Sequence, residues 1–169
     1  LGGTRELAKK NFHLIILVRN AAGLKNLYRI ISAAHMDYFF KVPRVPRSLL
    51  NKYREGLIIG SACEAGELYR ALLDGQSDMQ IARLVRFYDY LEIQPVGNNQ
   101  FMIASEKIRT VNSVEDIQNI NRRIVKLGEE FHKPVVATCD VHFLDPEDEI
   151  YRRIIMAGKG FDDADNQAP

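Results

Sequence analysis

Pro134-Val135-Val136-Ala137-Thr138-Cys139-Asp140-Val141-His142 joins a short apolar, β-branched run to a carboxylate and an imidazole two residues apart. The run follows the break His132-Lys133-Pro134 and predicts a short strand. In a strand, residues i and i+2 point to the same side. Asp140 and His142, at or just past its end, are therefore expected to project into one space, as two ligands of one ion must. Oxygen with neutral imidazole suits Zn, Mn or Fe, and Mg less clearly. Cys139 would point the opposite way, into the core. The pair fits an ordinary polar loop equally well, because Asp-x-His is a short and common pattern.

Upstream of this strand, Ile117, Ile120, Ile124, Leu127 and Phe131 recur at spacings of three and four. They predict a helix from Val114, with Ser113 as its N-cap. Further back, Phe12 to Val18 reads as a buried strand, followed by a helix bearing Leu24, Leu27, Ile31, Ala34 and Tyr38 on one face. Pro43 and Pro46 limit Lys41 to Arg54 to a loop and a short helix. Leu57 to Ser61 is a second buried strand, with helices expected over Glu64 to Leu73 and Asp78 to Phe87. Asp74-Gly75 stops the first of these helices. Tyr90 to Ile93 is a third strand, and Asp145-Pro146-Glu147 opens a last helix. This alternation predicts an α/β protein with mostly parallel strands and intervening helices. Four strands are too few to close a barrel of about eight.

The chain has 169 residues, enough for one domain, and a formal net charge of +1. No strong overall field draws it to nucleic acid or to a membrane, so any contact with DNA must come from a local patch. Cys63 and Cys139 are its two cysteines and form no CxxC pair or disulfide framework. No run approaches the length of a membrane span and no signal-peptide pattern opens the chain, so a reducing cytoplasm is the expected setting. The start at Leu1-Gly2-Gly3, without Met, and the end just after Ala157-Gly158-Lys159-Gly160 read as a piece cut from a longer polypeptide.

In parallel α/β folds, sites gather at the carboxyl ends of strands. His13 lies within the first predicted strand, Cys63 follows the second by two residues, and Asp140 and His142 follow the fourth. Each can bind a divalent metal. Alone, His13 also fits a hydrogen-bonded core histidine and Cys63 a small buried hydrophobe. Glu92, inside a strand, suits either an acid behind the ligands or an ion pair. Glu64 suits the N-terminus of its own helix. His35 and His132 suit surface or capping roles. Lys41, Arg44, Arg47, Lys52 and Arg54 form the one basic cluster, and Arg44 and Arg47 are the candidate phosphate or DNA contacts. A solvated loop explains the cluster as well, and no interleaved aromatic platform is evident. GxxxxGK[ST], GxGxxG and GxSxG are absent.

Phe12 to Leu27 (FHLIILVRNAAGLKNL), Val42 to Arg47, Gly56 to Leu68 (GLIIGSACEAGEL) and Val135 to Leu144 (VVATCDVHFL) resemble, in order, the PHP (polymerase and histidinol phosphatase) domain. The form resembled is that of PolC-type DNA polymerase III α subunits, in the part after an inserted exonuclease domain. The resemblance spans nearly the whole chain and implies an incomplete (β/α)7 barrel, with residues 1–169 as the C-terminal portion of a PHP domain. It implies metal ligands at His13, Cys63, Asp140 and His142, with further ligands, including an HxH motif, before the insertion.

The implied cofactor is a divalent metal (Zn, Mn or Fe, less so Mg), incompletely held by this chain. The implied partners are the rest of the polymerase chain and, through it, DNA, with no membrane. The unpaired edges of an incomplete sheet also admit a dimer. The function implied is a metal-binding part of a replicative polymerase whose polymerase and exonuclease sites lie elsewhere. Alternatives are a metal-stabilised scaffold without catalysis and a stand-alone phosphoesterase. This chain alone is expected to show little or no phosphoesterase activity.

Overall fold

Strand β1 (Ile15–Val18) and strand β2 (Leu57–Gly60) pair antiparallel, in the register Ile15 to Gly60 and Val18 to Leu57. The computed structural model describes residues 11–105 and 108–158. The chain divides into two units between Gly60 and Ser61.

In the first unit, helix α1 (Ala21–Met36) starts at Asn20, whose side chain accepts a hydrogen bond from the Gly23 amide at 2.9 Å. Gly23, Asn26, Ile30 and Ala34 form its buried stripe. Gly23 must be glycine, because a Cβ there would fall on the carbonyl of Gly56, itself at φ +74. The Asn26 side chain donates to the carbonyl of Glu55 at 2.9 Å, so the segment before β2 is tied to α1 twice. Helix α2 (Arg47–Lys52) begins directly after Pro46, as the prolines require.

In the second unit, helix α3 (Glu67–Leu73) ends at Asp74 with Gly75 at φ +63. Helix α4 (Asp78–Phe87) opens on a capping box between Ser77 and Gln80. Strand β3 (Leu91–Ile93) follows, then the short helix α5 (Val96–Asn99) and a 3-10 turn at Gln100–Met102. Helix α6 (Val114–Phe131) crosses back to strand β4 (Val135–Ala137). β3 and β4 pair parallel, Leu91 with Val135 and Ile93 with Ala137. Amide-to-carbonyl bonds from Leu91 to Pro134 (2.9 Å) and from Thr138 to Ile93 (3.0 Å) close the ladder at its two ends. α6 buries Ile117, Ile124 and Leu127. Leu68, Tyr69, Ile81, Val85, Tyr88, Leu91 and Met102 complete this core. A 3-10 turn at Pro146–Asp148 leads into helix α7 (Glu149–Gly158). Among the described residues no helix is long and apolar enough to cross a membrane.

Mixed α/β character is present, but among the described residues mostly parallel strands are not: one pair is parallel and one antiparallel. Hydrophobic runs report burial and carry no direction, so strand polarity had no signal. The expected buried strand Phe12 to Val18 shortens to four residues, with Ile15, Leu17 and Val18 largely exposed. Among the described residues, β1 has only β2 beside it. Each described sheet has two strands, so every described strand carries an open edge. α3 starts three residues later than expected. The Gly66 amide bonds the Cys63 carbonyl at 2.8 Å, closing a turn where the helix was predicted.

Candidate metal centre

The turn between β2 and α3 carries the first donors. Ala62 adopts the left-handed conformation (φ 62), a position that a β-carbon disfavours. Gly66 closes the same turn; a Cβ there would strike the Ser61 carbonyl. The turn keeps Glu64, which the sequence places in the helix, outside α3. The second segment follows β4. Asp140 is also left-handed (φ 50), tolerable because a short polar side chain can bond locally.

Cys63, Glu64 and Asp140 converge, each offering a donor atom within 4.8 Å of the other two. Cys63 and Glu64 are half-buried and Asp140 is exposed. Burial, followed by the charge of Glu64, its hydrogen bond and the charge of Asp140, pushes the Cys63 thiol up to about 12, against a lowering bond at Ala65. The carboxylates of Glu64 and Asp140 beside the thiol are a donor set that suits a cation. One sulfur and two carboxylates fit a divalent ion of the Zn, Fe or Mn type better than Mg.

A polar frame holds the two segments. Glu92 of β3, 6% exposed, accepts a hydrogen bond from the Thr138 hydroxyl at 3.0 Å. Its amide donates to the hydroxyl of Ser61, which is 2% exposed, at 2.9 Å. The Asn98 side chain donates to the Cys139 carbonyl at 2.6 Å. Glu92 is thus a brace behind the donors, bonded to the Thr138 hydroxyl. The Tyr90 hydroxyl is pushed up to about 12 by burial and by its bond to, and the charge of, Glu92.

Cys63 and Asp140 of the sequence-derived set are brought together. His142 is not in the group: its Nδ1 lies 2.5 Å from the Asp140 carbonyl. β4 stops at Ala137, so the strand alternation that would place Asp140 beside His142 does not reach them. For the same reason Cys139 is exposed and not core. His13 belongs to the first unit, exposed and two residues ahead of β1. Arg44 stacks over the Phe40 ring (4.9 Å), and Arg47 opens α2. His35 bonds its own helix at Ile31, and His132 (φ 53) is the left-handed cap of α6, both as expected. Glu64 is the residue that sequence reasoning assigned elsewhere. Its signal lay in Gly66, which interrupts the helix pattern directly after it.

An α/β scaffold that presents thiol and carboxylate donors on loops after its strands defines a candidate metal-binding protein. The PHP domain family matches residues 3–96, more than half of the sequence, and the chain belongs to that family. Similarity continues past that range. The chain is 57% identical over 157 residues, 93% of its length, to a PolC-type DNA polymerase III of Clostridium perfringens. It is 55% identical over 158 residues to that of Caldanaerobacter subterraneus subsp. tengcongensis, and 44% over 149 residues to that of Bacillus subtilis. These matches take in 94% and 88% of the chain. It spans only about a tenth of the length of these relatives, 11% of the first two and 10% of the third.

Proposed function

We propose that this chain is part of the metal-binding PHP domain of a bacterial replicative DNA polymerase of the PolC type. The similarity over 93% of the chain to a PolC-type polymerase carries this reading. Residues 1–169 are then the C-terminal portion of the domain, and the two small sheets are segments of a larger (β/α)7 barrel. The open strand edges are where the remaining barrel strands, or failing them a second copy, would add. The setting is the cytoplasm, with DNA reached through the parent polymerase.

Cys63 and Asp140, together with Glu64, are the proposed ligands within the second unit; ligand roles are also proposed for His13 and His142, each from its match to the family's motif. Arg44 and Arg47 remain proposed phosphate contacts. Zn, Mn or Fe is the fitting ion, and such an ion supplies Lewis acidity toward a phosphodiester and an acidified water. The carboxylates hold the ion, while Glu92 and Ser61 keep the two donor segments in place. With part of the ligand set, the chain binds one ion weakly and hydrolyses little or nothing by itself. Its contribution is then stabilisation, because an ion bound only by the folded form lowers the free energy of that form.

The test is a thermal melt of the 169-residue chain with Zn²⁺ or Mn²⁺ and with chelator, alongside elemental analysis. Metal should raise the melting temperature, and Asp140→Asn, Cys63→Ser and Glu64→Gln should each remove most of the rise. An unchanged metal content in all three variants would sink the assignment. Metal-dependent phosphodiester hydrolysis by the chain that vanishes in Asp140→Asn would replace the stabilising role with a catalytic one.

A further inference from the structure

The described residues of the first unit are strongly unbalanced in charge. Residues 11–60 hold eight Lys and Arg against two acids, Asp37 and Glu55. A net charge of +1 over the whole chain conceals this.

On α1 the imbalance meets a groove of about 470 Å³ whose lining includes Lys25, Tyr28, Arg29 and Tyr53, with Asp37 as its one acid. Arg29 and Lys52 both lie over the Tyr53 ring, at 5.7 and 5.3 Å from its centroid. Arg29 is further positioned by the Asn26 side-chain oxygen at 3.3 Å, and Asn26 in turn donates to the Glu55 carbonyl. Tyr28 presents its ring to solvent at 61% exposure. The interleaving of rings and cations missing from the linear sequence is thus assembled by the fold, from tyrosines 25 positions apart.

We propose that this groove binds single-stranded DNA. Lys25, Arg29 and Lys52 would neutralise successive phosphates, the exposed Tyr28 ring would receive a base, and Tyr53 would hold Arg29 and Lys52 in place. Cations that track a backbone beside stacking rings form the chemistry of sequence-tolerant single-strand binding. A merely acidic partner explains the cations and leaves the Tyr28 ring without a role. The groove shares no residue with the proposed metal ligands. Only the choice of DNA over RNA rests on the proposed function.

Fluorescence anisotropy with 5′-labelled dT12 and the 169-residue chain tests this at about 50 and 200 mM salt. Wild type should bind, and more weakly at the higher salt. Tyr28→Ala, at an exposed position, should weaken binding about fivefold or more. Lys25→Glu with Arg29→Gln should weaken it further and lower the salt slope by about 1.4, the loss of two single-strand phosphate contacts. Lys126→Glu on α6 should change nothing.

Three results overturn the proposal: no binding of dT12 at low salt, wild-type binding by both the Tyr28 and the Lys25/Arg29 variants, or preference for U12 or polyglutamate over dT12. Melting curves of each variant separate lost contacts from lost folding, and Tyr28→Ala reads the groove even where the double variant is destabilised. Metal retention is measured separately, so failure of either result leaves the other standing.

Discussion

Ala62 and Asp140 share a conformation that β-carbon-bearing residues avoid, and each sits beside or within the three-donor group. Such positions persist where surrounding structure holds them, and here Ser61, Glu92, Thr138 and Asn98 do so by hydrogen bonds. Cys63 registers the result electrostatically. Without a cation its thiol, raised to about 12, stays protonated across a range in which the unfolded chain, at 9.0, has lost its proton. The native state then binds more protons than the unfolded one, so stability is full below pH 9 and falls as pH rises above it. Denaturant melts of the metal-free chain from about pH 9 upward should show this fall, and Cys63→Ser should make it shallower. An equal slope in both proteins would remove the thiol from the account.

Helix α6 shows what an element owes to local chemistry. The Ser113 hydroxyl oxygen accepts from the Asp116 amide at 3.2 Å, and the Asp116 carboxylate accepts from the Asn112 and Ser113 amides at 2.9 and 3.0 Å. Ser113→Ala should cost about 1 kcal/mol in a urea melt at neutral pH. The bonds from Asn112 and Ser113 hold the Asp116 carboxyl below the ordinary range. Its stabilisation is therefore present above the unfolded value and lost as pH falls through the lower, folded value. Asp116→Asn should differ from wild type at pH 7 and converge with it in acid; a difference independent of pH would show that the bonds do not matter. Helices α4 and α6 were legible, because stripe and cap are written within a few positions of each other. Strand pairing was not, because β1 and β2 are joined by 38 intervening residues and their direction depends on tertiary packing. At the site, Cys63 and Asp140 were legible from their places after strands. Glu64 was hidden by its proximity to a helix start, and the parity argument for His142 and Cys139 failed where β4 ended early.

At the scale of the molecule, the first unit concentrates cations and the second carries the three-donor group. The second unit is built around α6, β3 and β4, whose contacts include one that glycine alone permits. A Cβ on Gly128 would run into the Val135 side chain, so α6 lies directly against the start of β4. That packing stops abruptly. The last ladder bond is from the Thr138 amide to Ile93, and from Cys139 the chain leaves the sheet, with Cys139 to His142 exposed. The residues before that bond and those after it therefore open on separate clocks. Amides of Leu91 and Thr138 should exchange with deuterium at the rate of global unfolding, and those of Val141 and His142 far faster. Any ion held at Asp140 inherits the faster clock. Its release to a chelator should be indifferent to urea below the unfolding transition, and a release rate that climbs with urea there would tie the ion to the core instead. A centre arranged in this way can trade its metal with the surroundings while the fold that carries it stays shut.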